Sequence, residues 1–278
     1  MKMKQEKIKQ KNVEMAFINV VLYPSERQKP EEYIKVLSSI MENRVLVRIP
    51  RSDKLTLLRT FELTGDYYHG YFCSAIFLGE DSKVLNVKEN ALEKAIFDPN
   101  KGLEAIDMEF WFFPECHRFA IYKSNVSKIV KFLSSAFEEI LGDKESFAVN
   151  VENDSNSIDR IINSKGVVKV NVSVRYTNND NCEEWEALDL DLRESDTTTA
   201  NLTLTASKTR PIQVIKNRIL KAFLRLSKSY GSAKAMIMNQ KGIVEEVNTK
   251  EHPQTVLVDV NQSPAEFLRR YIEKQVKI

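Results

Sequence analysis

The chain has 278 residues and a mass of 32.1 kDa, which is long for one compact core and sufficient for two modest ones. Hydrophobic residues make up 42% and charged residues 29%, with only 8 glycines and 8 prolines, so collagen-like, low-complexity and wholly disordered proteins are excluded. The 41 basic and 39 acidic residues leave a net charge of +2, so no overall charge indicates a polyanionic partner.

The first residues and the cysteines bear on the cellular compartment. Residues 1–12 are lysine-rich and lack an apolar segment, which predicts a basic disordered leader rather than a secretory signal. No apolar run approaches the ~20 residues of a membrane span. Cys73, Cys116 and Cys182 are odd in number and widely spaced, as is typical of a reducing environment. We therefore expect a cytoplasmic protein without a metal or cofactor.

The first half of the chain combines strands with two strongly amphipathic helices. In chain order the predicted elements are a strand at 16–23, a helix from 30, a short strand at 45–49, a hairpin of 57–63 with 71–78, a mostly irregular stretch at 79–107, strands at 110–113 and 119–122, and a helix at 126–141. Two strand–helix units about a hundred residues apart fit a ferredoxin-like arrangement, with two helices on one face of an antiparallel sheet.

The second half of the chain is rich in strands that alternate apolar and polar residues. The predicted elements are a short helix at 158–162, strands at 167–176 and 201–207, a helix at 211–229, a hairpin of 233–238 with 243–247, a strand at 255–260 and a helix at 264–275. The sequence thus predicts an α+β fold with two domains, 13–147 and 148–278, each an antiparallel or mixed sheet with helices mainly on one face.

Enzyme signatures are absent from the sequence: it holds no Walker phosphate loop, no dinucleotide-binding glycine fingerprint and no nucleophile elbow. The best catalytic candidates are His117, as a proton carrier, and Arg118, as a phosphate contact, at a bend between two aromatic strands. His69 with the neighbouring Tyr68 could supply a second proton carrier if the two bends meet. The alternative interpretation is structural, with His117 buried among aromatics and Arg118 bound to a nearby carboxylate or carbonyl.

Two further features are candidates for binding. Tyr67 and Tyr68 lie at the predicted hairpin tip, where aromatic rings stack on bases, anchor a protein interface or fold back onto the sheet. Residues 208–234 carry eight cations and no acid, and Arg218, Lys221, Arg225 and Lys228 recur at helical spacing, which favours phosphate binding. Alternatively this charge is solvated or pairs with the acidic segment 179–196, within the chain or between subunits.

A family resemblance rests on the aromatic and histidine motifs. Tyr68-His69-Gly70, the aromatic run 110–113 followed by Pro114, and His117-Arg118-Phe119 resemble the uncharacterised prokaryotic domain-of-unknown-function family 4747. The helix-then-strand pattern of 158–176 is similar as well, and the resemblance covers roughly residues 16–238. It implies a bacterial accessory gene found among mobile elements and phage-defence genes, with no catalytic residues to carry over.

These observations predict a non-catalytic nucleic-acid-binding accessory protein of a prokaryotic mobile-element or phage-defence system. The helix at 211–229 would make the contact, with Lys221, Arg225 and Lys228 outermost. The first alternative is a protein-interaction subunit or homo-oligomer of a defence complex. The second is a ribonuclease that needs no metal and uses the two histidines.

Overall fold

The computed structural model describes residues 12–49, 53–77, 82–86, 88–94, 98, 101–175, 186–195, 197–259 and 264–275. Its strands are β1 Asn12–Leu22, β2 Val47–Arg48, β3 Lys54–Thr64, β4 Tyr67–Phe77, β5 Lys83–Asn86, β6 Ala91–Lys94, β7 Gly102–Phe113, β8 Arg118–Tyr122, β9 Phe147–Val151, β10 Gly166–Arg175, β11 Thr199–Thr205, β12 Gly231–Met238, β13 Val244–Asn248 and β14 Thr255–Asp259. Its helices are α1 Pro30–Glu42, α2 Val126–Leu141, α3 Ser155–Ile162, α4 Glu186–Glu194, α5 Arg218–Tyr230 and α6 Pro264–Gln275. The predicted α+β fold is confirmed.

The first and larger sheet is built around β1. Its strand order is β14-β1-β8-β7-β4-β3-β2, and every pairing is antiparallel. The edge of β1 that faces away from β8 is shared by two strands, since β14 pairs with the first part of β1 and β9 with the last part. Because β1 is covered on both faces, its apolar residues occupy successive rather than alternate positions, with the buried Asn19 among them.

Helices α1 and α2 cover one face of this sheet. Pro30 occupies the first turn of α1, and Gly142, with φ +72°, ends α2, so the predicted helices from 30 and at 126–141 are confirmed. The helices bury their apolar stripes against the strands, with Tyr33 and Phe132 fully buried. The succession β1-α1-β7-β8-α2-β9 is the strand and helix order of a ferredoxin-like unit, with β2 to β6 inserted.

The opposite face of the first sheet is covered in part by α6. Ala265, Leu268 and Ile272 of this helix pack with Phe17 of β1 and Trp111 of β7. Together with β14, α6 thus joins the C-terminal part of the chain to the first sheet. The predicted division at 147/148 stays a prediction, but β9 spans that point, β14 lies beyond it, and both strands pair with β1.

The second sheet has the order β11-β10-β12-β13, again with antiparallel pairing throughout. Val170, Val172 and Val174 of β10 point to one face and are buried against α3 and α5. The residues between them point to the other face, as the strict alternation in the sequence predicted.

Helix α5 lies between the two sheets. It contacts β10 and β12 of the second sheet and β9 of the first. Two asparagines of the first-sheet side hold its last turns: Asn19 Nδ2 donates to the Ser229 carbonyl at 3.3 Å, and Asn153 Nδ2 donates to the Ser227 carbonyl at 2.8 Å. These bonds satisfy carbonyls that the end of a helix leaves without a partner.

The predicted helix over 211–229 is wrong at its start. A single 3-10 turn at Val214–Lys216 precedes α5, which begins at Arg218 after Asn217 caps it by accepting a hydrogen bond from the Leu220 amide at 3.0 Å. A single helix over 211–229 would place Ile215 and Ile219 on one apolar stripe with Phe223 and Leu226. In the structure Ile215 lies before the cap and Ile219 in the first turn of α5, and they are 69% and 63% exposed.

Other elements differ from the sequence prediction as well. The stretch 79–107, predicted to be mostly irregular, contains the β5–β6 hairpin and the first half of β7, where Glu104–Asp107 are exposed. Strand β9 and helix α4 were not predicted. The predicted leader was placed at 1–12, but Asn12 begins β1. Residues 1–11 lie outside the described residues, as do Cys182 and residues 179–185 and 196 of the acidic segment.

Candidate functional site

The turn that carries His117 is buried. Residues Pro114–Cys116 form a 3-10 turn, after which His117 adopts the left-handed conformation, with φ 57° and ψ 32°. Its ring stacks on Tyr33 of α1, with the ring centroids 4.2 Å apart. Burial, together with the nearby charge of Arg118, lowers the pKa of His117 to about 4, so the imidazole is neutral at pH 7.

Arg118 forms a buried ion pair. Its Nε lies 2.6 Å from Oε1 of Glu152, which follows β9, and its Nη1 donates to the Cys116 carbonyl at 2.7 Å. The two residues are only 3% and 6% exposed. The guanidinium thus satisfies a carboxylate and a carbonyl, which is the structural alternative that the sequence left open.

His69 lies on the opposite face of the first sheet from α1 and α2. Its neighbour Tyr68 packs against the core under α1 and α2, so the His69 side chain points to the other face of β4. There its ring packs at 5.5 Å from that of Trp111. Because His117 contacts α1, the structure does not bring the two histidines together around one phosphate.

A polar cluster surrounds Glu109 on that face. His69 Nε2 lies 2.9 Å from Glu109 Oε1, Tyr71 donates its hydroxyl to the same oxygen at 3.3 Å, and Tyr122 donates to Oε2 at 3.1 Å. Burial first, and then the charge and hydrogen bond of Glu109, raise the pKa of Tyr122 to about 12. The pKa of Tyr71 is also raised, first by burial and then by the charge and hydrogen bond of Glu109. Glu109 was not predicted from the sequence, although its spacing of two residues from Trp111 places both side chains on one face of β7.

The tyrosines of the hairpin tip pack back onto the sheet. The turn is two residues long, at Gly65 and Asp66, so Tyr67 and Tyr68 already belong to β4. Tyr68 stacks on Phe61 at 4.2 Å, and Tyr67 lies on the other face, 5.8 Å from Phe113. Both are half-buried, and they point to opposite faces, so they do not form one stacking platform.

Helix α5 does not present its predicted cations outermost. Arg218 is exposed, whereas Lys221, Arg225 and Lys228 are only half-exposed because α5 lies between the two sheets. Arg225 Nη1 lies 3.1 Å from Oδ1 of Asp159 on α3. Lys221, Arg225 and Lys228 are therefore less exposed than the outermost residues of a helix would be, and their contact with nucleic acid stays a prediction.

A separate group of exposed cations lies at one end of the second sheet, which we call the basic end. Lys169 of β10 is paired in register with Thr205 of β11 and Met236 of β12. The loop after β11 and the loop after β12 leave the sheet at this end, and the Lys165 amide donates to the Met238 carbonyl at 3.0 Å. The exposed cations of the basic end are Lys165, Lys169, Lys208, Arg210 and Lys241.

The solvent-facing surface of the same sheet, here the open face, is polar. Strands β10, β11 and β12 contain no acidic residue. The exposed residues of these strands on this face are Lys169, Asn171, Arg175, Thr199, Asn201, Thr203, Thr205, Lys234 and Met236. On the neighbouring β13, Glu246 Oε1 lies 3.0 Å from Lys234 Nζ. The open face therefore offers hydrogen-bonding groups beside a concentration of positive charge.

The comparison with protein families decides the chain's membership. The family model described as "Domain of unknown function (DUF4747)" matches residues 11–273. The chain belongs to the DUF4747 family. This confirms the resemblance carried by the aromatic and histidine motifs.

One further comparison and two observations on the described residues accompany the DUF4747 assignment. No curated protein matches the chain. Among the described helices, none is long and apolar enough to cross a membrane. Within the described residues, no three His, Cys, Asp or Glu side chains converge in a way that could hold a metal ion.

The Arg118–Glu152 pair predicts a large loss of stability when one partner is removed. Arg118→Met leaves the Glu152 carboxylate buried without its cation, which costs about 3–5 kcal/mol. Arg59→Met is the matched control, because Arg59 also binds a carboxylate, that of Asp107, at 3.0 and 2.7 Å, but at the surface. We expect that control to cost less than about 1 kcal/mol in urea unfolding. Equal losses in the two variants would contradict a buried pair.

The Glu109 cluster predicts a coupled titration. Glu109→Gln removes the charge that disfavours tyrosinate, so the pKa of Tyr122 falls from about 12 but stays above the ordinary value because burial remains. The measurement is the pH dependence of the Tyr122 ring carbon signal by NMR, assigned with Tyr122→Phe. Asp107→Asn is the control, because Asp107 is a neighbouring carboxylate that binds Arg59. An unchanged Tyr122 titration in Glu109→Gln would refute the coupling.

The position of α5 predicts different outcomes for two of its arginines. Arg225→Glu places a second carboxylate beside Asp159 and lowers stability by roughly 1–3 kcal/mol. Arg218→Glu changes the same charge at the exposed first residue of the helix, where a carboxylate favours the helix dipole by about 0.3–1 kcal/mol. Thermal unfolding separates the two, and equal midpoints would contradict the half-buried position of Arg225.

Proposed function

We propose that the protein is a cytoplasmic nucleic-acid-binding accessory protein whose contact surface is the open face of the second sheet with its basic end. The observation that carries this proposal is the segregation of charge: no acidic residue lies between Thr197 and Val244. The whole chain carries only +2, so this segment concentrates cations that acids elsewhere balance. The phage-defence setting that the family resemblance implies belongs to the same proposal.

The cations of the basic end are available for phosphate. Lys169, Lys208 and Arg210 are exposed and form no ion pair with any described residue. An exposed cation without a protein carboxylate can exchange its solvent shell for a phosphate oxygen, with release of the counterions condensed on the nucleic acid. The threonine and asparagine side chains of β11 add hydrogen-bond donors beside these charges.

The open face indicates how the nucleic acid would be bound. Strands β10 to β13 carry no aromatic residue, so this surface lacks the rings on which bases stack. Affinity would then depend mainly on phosphate contacts. Such binding is weakly dependent on base sequence and strongly dependent on salt.

The ribonuclease alternative loses its geometric support. It required His69 and His117 to flank one phosphate, but they lie on opposite sides of the first sheet, and His117 is buried against Tyr33. General acid–base catalysis needs both carriers within hydrogen-bond reach of the substrate or one water away. We therefore propose binding without cleavage.

The test is charge reversal at the basic end. In the variant Lys169→Glu, Lys208→Glu, Arg210→Glu, three phosphate contacts are lost, so the slope of log affinity against log salt should flatten by roughly 2–3. Gel shifts over a salt series, with single-stranded RNA and with duplex and single-stranded DNA, measure it.

A matched variant controls for net charge. Lys35, Lys128 and Lys131 are exposed on α1 and α2, so their triple replacement by glutamate makes the same charge change on the far side of the first sheet. We expect this control to bind with nearly the wild-type slope. Absence of wild-type binding to every nucleic acid, or equal weakening in both variants, would overturn the proposed surface.

A further inference from the structure

Strand β11 forms one edge of the second sheet. Among the described strands it pairs with β10 on one side only. Its sequence, TANLTLT, contains no charged residue and no proline over seven residues. Edge strands usually carry charges, prolines or bulges that prevent pairing with another chain. β11 lacks all three, since its register with β10 is regular from Thr199 to Thr205.

One backbone hydrogen bond shows which residues of β11 direct their N–H and C=O groups toward β10. The Ala206 amide donates to the Val168 carbonyl of the β10 segment at 2.7 Å. Backbone groups of a strand point to alternate sides, so Ala200, Leu202 and Leu204 also direct theirs toward β10. The intervening residues direct their N–H and C=O groups away from the sheet; these are Thr199, Asn201, Thr203 and Thr205.

We propose that β11 pairs antiparallel with β11 of a second copy of this chain, about a two-fold axis at Leu202. In this register Thr199 pairs with Thr205 and Asn201 with Thr203, and each pair uses the outward backbone groups. Leu202 lies opposite its own copy in a non-hydrogen-bonded pair. The second sheets of the two copies become one continuous sheet.

The side chains of β11 suit a copy of itself. On the open face the pairing places Thr beside Thr and Asn beside Thr, which form hydrogen bonds across strands. On the other face the half-buried Ala200, Leu202 and Leu204 meet the same residues, which extends the apolar layer under the sheet. Because β11 is uncharged, the symmetric pairing opposes no like charges, as an isologous interface requires.

A cysteine cross-link tests the register. A non-hydrogen-bonded antiparallel pair brings Cα atoms to about 4.5 Å, within the range of a disulfide, so Leu202→Cys should give a covalent dimer on a non-reducing gel after mild oxidation. Leu204→Cys is the matched control: Leu204 lies opposite Ala200, so the two introduced thiols are about 13 Å apart along the strands. The wild type, with Cys73, Cys116 and Cys182, gives the background.

A proline tests the hydrogen bonds. Thr203→Pro removes one outward N–H from each copy and leaves the β10 side intact, so dimerisation should weaken by at least about tenfold while the unfolding midpoint of the chain is retained. Light scattering then reports a shift from twice 32.1 kDa toward 32.1 kDa.

Three results would overturn this pairing: a monomeric wild type up to roughly 100 μM, undiminished dimerisation in Thr203→Pro, or equal cross-linking at 202 and 204. The pairing uses no cation of the basic end, so it stands or fails independently of nucleic-acid binding.

Discussion

The architecture depends on the burial of β1 on both faces and both edges. Ile18, Val20 and Leu22 of this strand enter the core under α1 and α2, Met15 and Phe17 enter the core under α6, and Val21 enters the core around α5. One strand thus contributes to all three apolar cores. A strand in this position must be apolar at nearly every residue, because each of its faces is covered by a helix.

This constraint explains why parts of the fold were predictable from the sequence. The continuous apolar run of β1 and the helical stripes of α1 and α2 report burial that local periodicity captures. For α5 the same reasoning failed, because a cap at Asn217 interrupts the period and a second sheet covers the helix. The pairing of β14 with β1 has no local signal, since it depends on residues more than two hundred positions apart.

In the candidate site, too, the sequence could not tell which cations are buried and which are exposed. Arg118, Arg225 and Lys169 carry the same charge, but the first is buried with Glu152, the second is half-buried beside Asp159 and the third is exposed on the open face. The partners of Arg118 and Arg225 are distant in sequence, and Lys169 has no ion-pair partner among the described residues, so spacing alone cannot assign these roles. The aromatic density around His117 did indicate its burial, whereas Glu109 is recognisable only once β4, β7 and β8 are aligned.

The return of β14 to β1 also sets the order in which the chain can fold. Asn12 pairs with Asp259, and closing so long a loop costs conformational entropy before any contact offsets it. During synthesis, β1 can join α1, β8 and β9 while half of its outer edge still lacks a strand. That edge stays open to incorrect pairing until residues 255–259 have left the ribosome, so completion of the first sheet is a late, non-local step.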